Sequence, residues 1–535
     1  MLAPLLLAAM THTAPAADAS KPPLFDDLGS YHRAITTASA EAQKYFDQGL
    51  RLVYGFNHDE AERAFREAVR LDPACAICWW GVGLTLGPNI NLPIDADRNA
   101  KAVEAVGRAK ALREKAGPVE RALIDALTTR YSADPAADRA ALDQAYADAM
   151  QRVRKRFPKD DDVATLAAEA MMDLRPWKFW TPDGKPAPGT LEILSILESV
   201  LKRNPSHPGA NHYYIHATEA SPNAGRALPS AKRLETLMPG AGHLVHMPAH
   251  TYMRTGNYAG ASEANAKAAA VDEKYIRAHD VKGVYPAMYY THNLQFLAAA
   301  AAMEGRSAVS LDAAKRTTEA ALPLVKEMPM AEFVVPFDLY YKLRFGKWDE
   351  VLAWPEPDPS LATTAALRRF GRAAALAAQG KVPEALEEQK AYLEAAARVP
   401  PDAVMNLNTS KDLLAVATAS LDARIAVAKG DRDAAIEAWR RTVAAEDLLA
   451  YDEPPAWYYP TRESLGGELL RAGRAAEAER VFRDDLDRNP GNGRSLFGLA
   501  EALKAQKKTG EAAKVETRFK TAWARADIPV TVAGL

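Results

Sequence analysis

The 535-residue chain has only two cysteines, Cys75 and Cys78, so no disulfide framework holds it together. It has no excess of one charge: 67 Lys and Arg face 69 Asp and Glu, for a net charge of -2. The basic surplus that phosphate backbones demand is missing, and no nucleic-acid partner is expected. No run approaches the roughly 18 apolar residues of a membrane span, so none is expected. The period-2 alternation of strands is almost absent. So are a phosphate-cradling glycine loop, a dinucleotide fingerprint, a G-x-S-x-G elbow and the H-E-x-x-H of zincin proteases. Any chemistry carried out here has no nucleophile of those kinds to start from. With 48% hydrophobic and 25% charged residues, the chain nevertheless has ample material for a large core.

That material is periodic. The segment from Ala42 carries Gly49, Ala61, Phe65, Ala68 and Pro73 where a tetratricopeptide repeat wants small, aromatic and turn residues. The pattern closes again at Asn204-Pro205, Met238-Pro239 and Asn489-Pro490, and Pro205 and Pro239 are 34 residues apart, the period of that repeat. Further hairpins are predicted to turn at Gly256, Gly305, Gly346, Gly380, Gly430 and Gly473, each following an apolar stretch of helical period. The expected fold is an all-α tetratricopeptide-repeat solenoid. Residues 21–350 are expected to form an N-terminal repeat region and 351–535 a C-terminal one, with a soft boundary near Ala353–Ser360. Three stretches interrupt the repeat as loops: Gly87–Asp97, Arg175–Gly189 and Tyr451–Pro460. The N-terminus reads LAPLLLAAM from Leu2, followed by Ala14-Pro15-Ala16, as a signal peptide over residues 1–20 would, with the mature chain starting near Ala17. Export to a bacterial periplasm is the expected localisation.

The histidines are concentrated. Six of the 11 fall between His207 and His250. His212 and His216 form an H-x-x-x-H pair, and His246 and His250 repeat it 34 residues later, one repeat on. At helical pitch each pair shares a face. Glu219 and His243 extend the two stripes, and His292 begins the next candidate first helix. First helices of such an array line its concave surface, so these side chains are expected to point into a groove. Neutral imidazole is the commonest biological metal ligand and suits copper, zinc, iron and nickel. The expected cofactor is a transition metal, copper first, with zinc and iron open, held by His212, His216, His246 and His250 with Glu219, His243 and His292 as further ligands. Such a metal protein could be an oxidoreductase or hydrolase acting on a small-molecule or peptide-like ligand, with Trp177, Trp180, Tyr213, Tyr252 and Tyr290 lining its place. The alternative is a metal-free scaffold whose groove binds a partner peptide in an envelope complex.

Cys75 and Cys78 are read as a local disulfide or a pair of packing thiols, and His58 as structural. Glu169 and Asp173 stand one helical turn apart, where they could support the site. The fragments GFNHDEAERAF, DPACAICWWG, HYYIHATEASP, GHLVHMPAH and YYPTRESLG resemble a poorly characterised family of exported bacterial tetratricopeptide-repeat proteins, over most of the mature chain. The resemblance implies the fold and the site region but no reaction. It also implies further histidines where this chain has Ala220 and Gln295.

Overall fold

A computed structural model describes residues 21–326 and 328–535. The expected signal peptide lies outside them. From Ala40 to Ala522 the described chain is helical hairpins, with one two-stranded ribbon, Val404–Met405 against Asn408–Thr409. The fold is the all-α tetratricopeptide-repeat solenoid expected from the period.

Each hairpin pairs a first helix with an antiparallel second one. Ala40–Tyr54 is followed by His58–Leu71, Thr291–Met303 by Ser307–Ala321, Ala362–Ala378 by Val382–Ala396 and Ser410–Ala428 by Arg432–Glu446. The predicted turn glycines at 256, 305, 346, 380, 430 and 473 all take positive φ, between 64° and 78°. In the first hairpin Gly55 keeps a negative φ and Phe56 takes the left-handed conformation, as Lys507 does in a turn without glycine. Small residues admit the aromatic side chains of neighbouring helices: a Cβ on Gly49 or on Gly81 would run into the Phe65 ring.

The apolar core falls into three clusters. The first runs from Leu28 to Ala300, the second from Leu297 to Tyr459 and the third from Ala423 to Leu535. The Thr291–Met303 helix therefore serves two clusters at once.

Distant parts of the chain meet around the middle of the sequence. Tyr54 and Phe56, in the first hairpin, pack on Tyr213. Tyr275 Oη donates to Glu60 at 3.1 Å. From the other end, Tyr451 contacts Glu219, Asp527 accepts from the Ser307 and Ala308 amides, and the Gly256 turn abuts Pro490 and Gly491. The superhelix is tight enough that both ends close over residues 208–303. No helix among the described residues is long and apolar enough to cross a membrane.

Candidate metal centre

Three helical segments supply the histidines. The first, Pro208–Glu219, starts with proline at its first turn and is capped by His207. His207 Nδ1 accepts from the Ala210 amide at 3.1 Å and its Nε2 lies 3.3 Å from Asp162, so this histidine belongs to the helix end and not to the centre. The second segment is broken. Gly242–His246 stops, and Pro248–Thr255 resumes after Met247, because Pro248 has no N–H to offer Leu244. The third, Thr291–Met303, presents His292 in its first turn, after a π-helical turn over Tyr285–Tyr290.

The side chains converge. His212, His216, His243, His246 and His250 are each no more than 2% exposed, as is Glu219, and His292 is half-buried. Ligand-capable atoms of His212, His216 and His243 lie within 4.8 Å of one another, and so do those of His246, His250 and His292. A third group at the same limit joins His216, Glu219 and His250. The order differs from the sequence stripes: His243 turns to the first helix, and His292 completes the group of His246 and His250.

Hydrogen bonds fix the tautomers of three rings. His212 Nδ1 donates to the Tyr54 carbonyl at 2.7 Å, His216 Nδ1 to Glu219 Oε1 at 2.7 Å, and His246 Nδ1 to Asn265 Oδ1 at 2.6 Å. A neutral ring that donates from Nδ1 carries its lone pair on Nε2, which is the arrangement of metal-binding histidines. His216 Nε2 and His243 Nδ1 are buried without any partner. Burial is the main reason that His212, His243 and His246 are held well below the ordinary imidazole value, with neighbouring histidines adding to it. His292 is pushed down to about 3, again chiefly by burial. These rings are neutral, as metal ligands must be.

His250 is the exception. Burial opposes its charge, but the Glu219 carboxylate beside Nδ1 outweighs that and raises it. Burial works against the Glu219 charge too, yet His250 and His216 hold its carboxyl down at about 2. Glu219 is therefore an anion that grips Nδ1 of one ring and lies against Nδ1 of another. Past it stands Glu453, raised to about 7, mainly by burial, with its Oε2 unpartnered and its Oε1 accepting from Tyr451. The spacing of the histidines gave no sign of Glu453, Asn265 or Tyr54, which come from a distant loop, a second helix and a backbone carbonyl.

The aromatic residues divide. Trp177, at φ 63°, stands edge-on to His216 at 5.2 Å, and Tyr213 packs 5.2 Å from His212. Trp180 donates to the Ala217 carbonyl at 2.8 Å, Tyr252 to Glu235, and Tyr290 to Glu273 at 2.8 Å. Instead of lining an open concave groove, as the repeat register implied, the histidines are enclosed. Trp177, Phe56 and Phe296 pack on the imidazole rings, and Tyr451 reaches Glu219.

The other sequence candidates settle simply. Cys75 and Cys78 form a buried disulfide. His58 is buried and pushed down to about 3, mainly by burial. Glu169 and Asp173 form a buried carboxyl pair with Arg130, which donates to Asp173.

The fold and the centre together define an all-α repeat protein with a closed, imidazole-rich interior. No known family profile matches the chain, and no curated relative does either. Among solved structures, a human IFIT1 dimer with m7Gppp-AAAA shares 12% identity over 90% of this chain and 95% of that one, at a TM-score of 0.33. A monomeric IFIT1 mutant with Gppp-AAAA shares 12% over 83% and 90%, at 0.34. Likeness at that level carries no argument about this protein's function.

Proposed function

We propose that this is an exported, periplasmic metal-binding protein that holds a transition metal, copper first and zinc or iron next, on the clustered histidines 212, 216, 243, 246, 250 and 292. The observation that carries this reading is the set of three Nδ1–H groups tied to a carbonyl, a carboxylate and an amide oxygen. Those acceptors turn three Nε2 lone pairs inward, where hydrogen bonding alone leaves His216 Nε2 unused. An all-imidazole donor set suits copper best within the divalent affinity order. The Cys75–Cys78 disulfide agrees with an oxidising compartment.

Bound there, the metal would supply Lewis acidity or redox capacity in a dry site. The chain's own groups fix the rings, exclude water and place the Glu219 and Glu453 carboxylates and the Tyr451 hydroxyl alongside. His292, the only half-buried member, marks the way in, and the closure limits a ligand at the ion to a small molecule rather than a peptide. Burial of the rings also weighs against the alternative of a groove that clamps a partner's peptide.

Elemental analysis of untagged protein purified from periplasm without chelator tests the reading, with the His212→Ala/His246→Ala double variant alongside. Near-stoichiometric metal that the variant loses is the expected result. No metal in either sample after incubation with copper, zinc and iron would sink it.

A further inference from the structure

We infer that the centre holds two metal ions rather than one, the first on His212, His216 and His243 and the second on His246, His250 and His292. The inference rests on the metal-binding reading above and gives it a stoichiometry.

The six imidazoles sort into two sets with no shared member, and the ligand atoms of each set lie within 4.8 Å of one another. Three nitrogens around one ion at about 2.0–2.1 Å are themselves roughly 3.3–3.6 Å apart. Each set is therefore about the size of one coordination sphere, and no group of ligand atoms at that limit gathers all six rings.

The same device occurs in both sets. In the first, His212 gives its Nδ1 proton to the Tyr54 carbonyl, so the Nε2 that meets His243 Nε2 at 3.1 Å is a bare lone pair. In the second, His246 gives its Nδ1 proton to Asn265, so the Nε2 that meets His250 Nε2 at 2.7 Å is bare as well. Asn265 is held in that sense because its Nδ2 donates to the Ala261 carbonyl at 2.8 Å. Each set thus has a fixed lone pair aimed at a second imidazole nitrogen, with the third ring close by. His246 and His292 ring centroids are 4.7 Å apart, and those of His212 and His216 are 4.8 Å apart.

Glu219 joins the two sets without belonging to either. Oε1 accepts from His216 of the first and Oε2 faces His250 of the second, both at Nδ1. A carboxylate in that position orients one ligand of each ion and sets a negative charge between two cations. Tyr451 links it to Glu453, whose buried Oε2 has no partner.

Titration of the full-length mature protein with Cu(II) alone, read by native mass spectrometry, tests the inference, and Zn(II) serves as a second probe. Wild-type protein should take two ions per chain. His212→Gln and His292→Gln should each take one, and the combined variant should lose both. A wild-type plateau at one ion, abolished by either substitution, would overturn the two-ion centre and leave the metal-binding reading intact. No ion in the wild type would remove both. Circular dichroism checks that the variants fold, and where one does not, the wild-type plateau decides by itself.

Discussion

Asn265 cannot turn over without releasing Ala261, and this makes one amide a determinant of ligand availability. Its Nδ2 donates to the Ala261 carbonyl at 2.8 Å and its Oδ1 accepts from His246 Nδ1 at 2.6 Å. Asn265→Leu keeps the volume and removes the acceptor. The His246 proton can then sit on either nitrogen, and metal affinity should fall by about 10- to 100-fold. A competition titration against a chelator of known affinity measures the change, and unaltered affinity would count against His246 as a ligand. Asp272 offers a second test at this scale. It accepts from Tyr285 at 2.8 Å and from Asn293 at 2.6 Å, and burial raises its pKa from the usual 3.8 to about 7 against the pull of those two bonds. Between those values the folded protein keeps a proton that the unfolded chain has released. Stability is therefore lost as pH rises through that window, by at most about 4 kcal/mol from this group. In Asp272→Asn the term is absent. Urea unfolding compared at about pH 5 and about pH 8 should show the wild type losing ground to the variant at the higher pH; a pH-independent difference would refute the raised value.

Helix breaks and turns decide how the histidine stripes are dealt out. The 34-residue offset between the two H-x-x-x-H pairs is visible in the sequence because it is a one-dimensional register, and so is the all-α class. The grouping is not visible. His243 and His246 stand three apart on the one Gly242–His246 segment, yet their rings part company: His243 Nε2 meets His212 and His246 Nε2 meets His250, across the break before Pro248. The acceptors behind the rings were hidden for a related reason. Tyr54 is 158 residues from His212, and a backbone carbonyl leaves no trace in residue type. Turns were legible because positive φ selects glycine, and two of them give a paired prediction. Gly256 sits at φ 78° with the Pro490 carbonyl where a Cβ would go, whereas Gly380 sits at φ 73° with nothing nearby. Gly380→Ala should cost only the left-handed conformation, about 1–2 kcal/mol. Gly256→Ala should cost clearly more, since it also pushes the Pro490 turn off the central hairpins. Unfolding midpoints of the two variants compare them, and equal losses would mean that the contact between the Gly256 and Pro490 turns contributes nothing.

At the scale of the whole molecule, the centre is a knot between parts of the chain that a plain solenoid keeps apart. Solenoid stability is ordinarily a sum over neighbours, so a ligand protects the repeats that touch it and little else. Here the centre draws on the first hairpin through Tyr54 and Phe56, on the central repeats through the histidines, and on the Tyr451–Pro460 loop through Tyr451 and Glu453. Metal that binds only the folded arrangement stabilises it by RT ln(1 + [L]/Kd), about 2.7 kcal/mol at a hundredfold excess over Kd. That energy should be shared by all three regions. Hydrogen exchange with and without saturating Cu(II) would show it, as slowed exchange at the Gly55–Asn57 turn and around Tyr451–Glu453 together with the histidine helices. Protection confined to residues 208–303 would mean that the ends merely rest on the centre. Protection reaching both ends would mean that metal binding closes the superhelix, so that ion occupancy and the shape of the whole repeat array are one equilibrium.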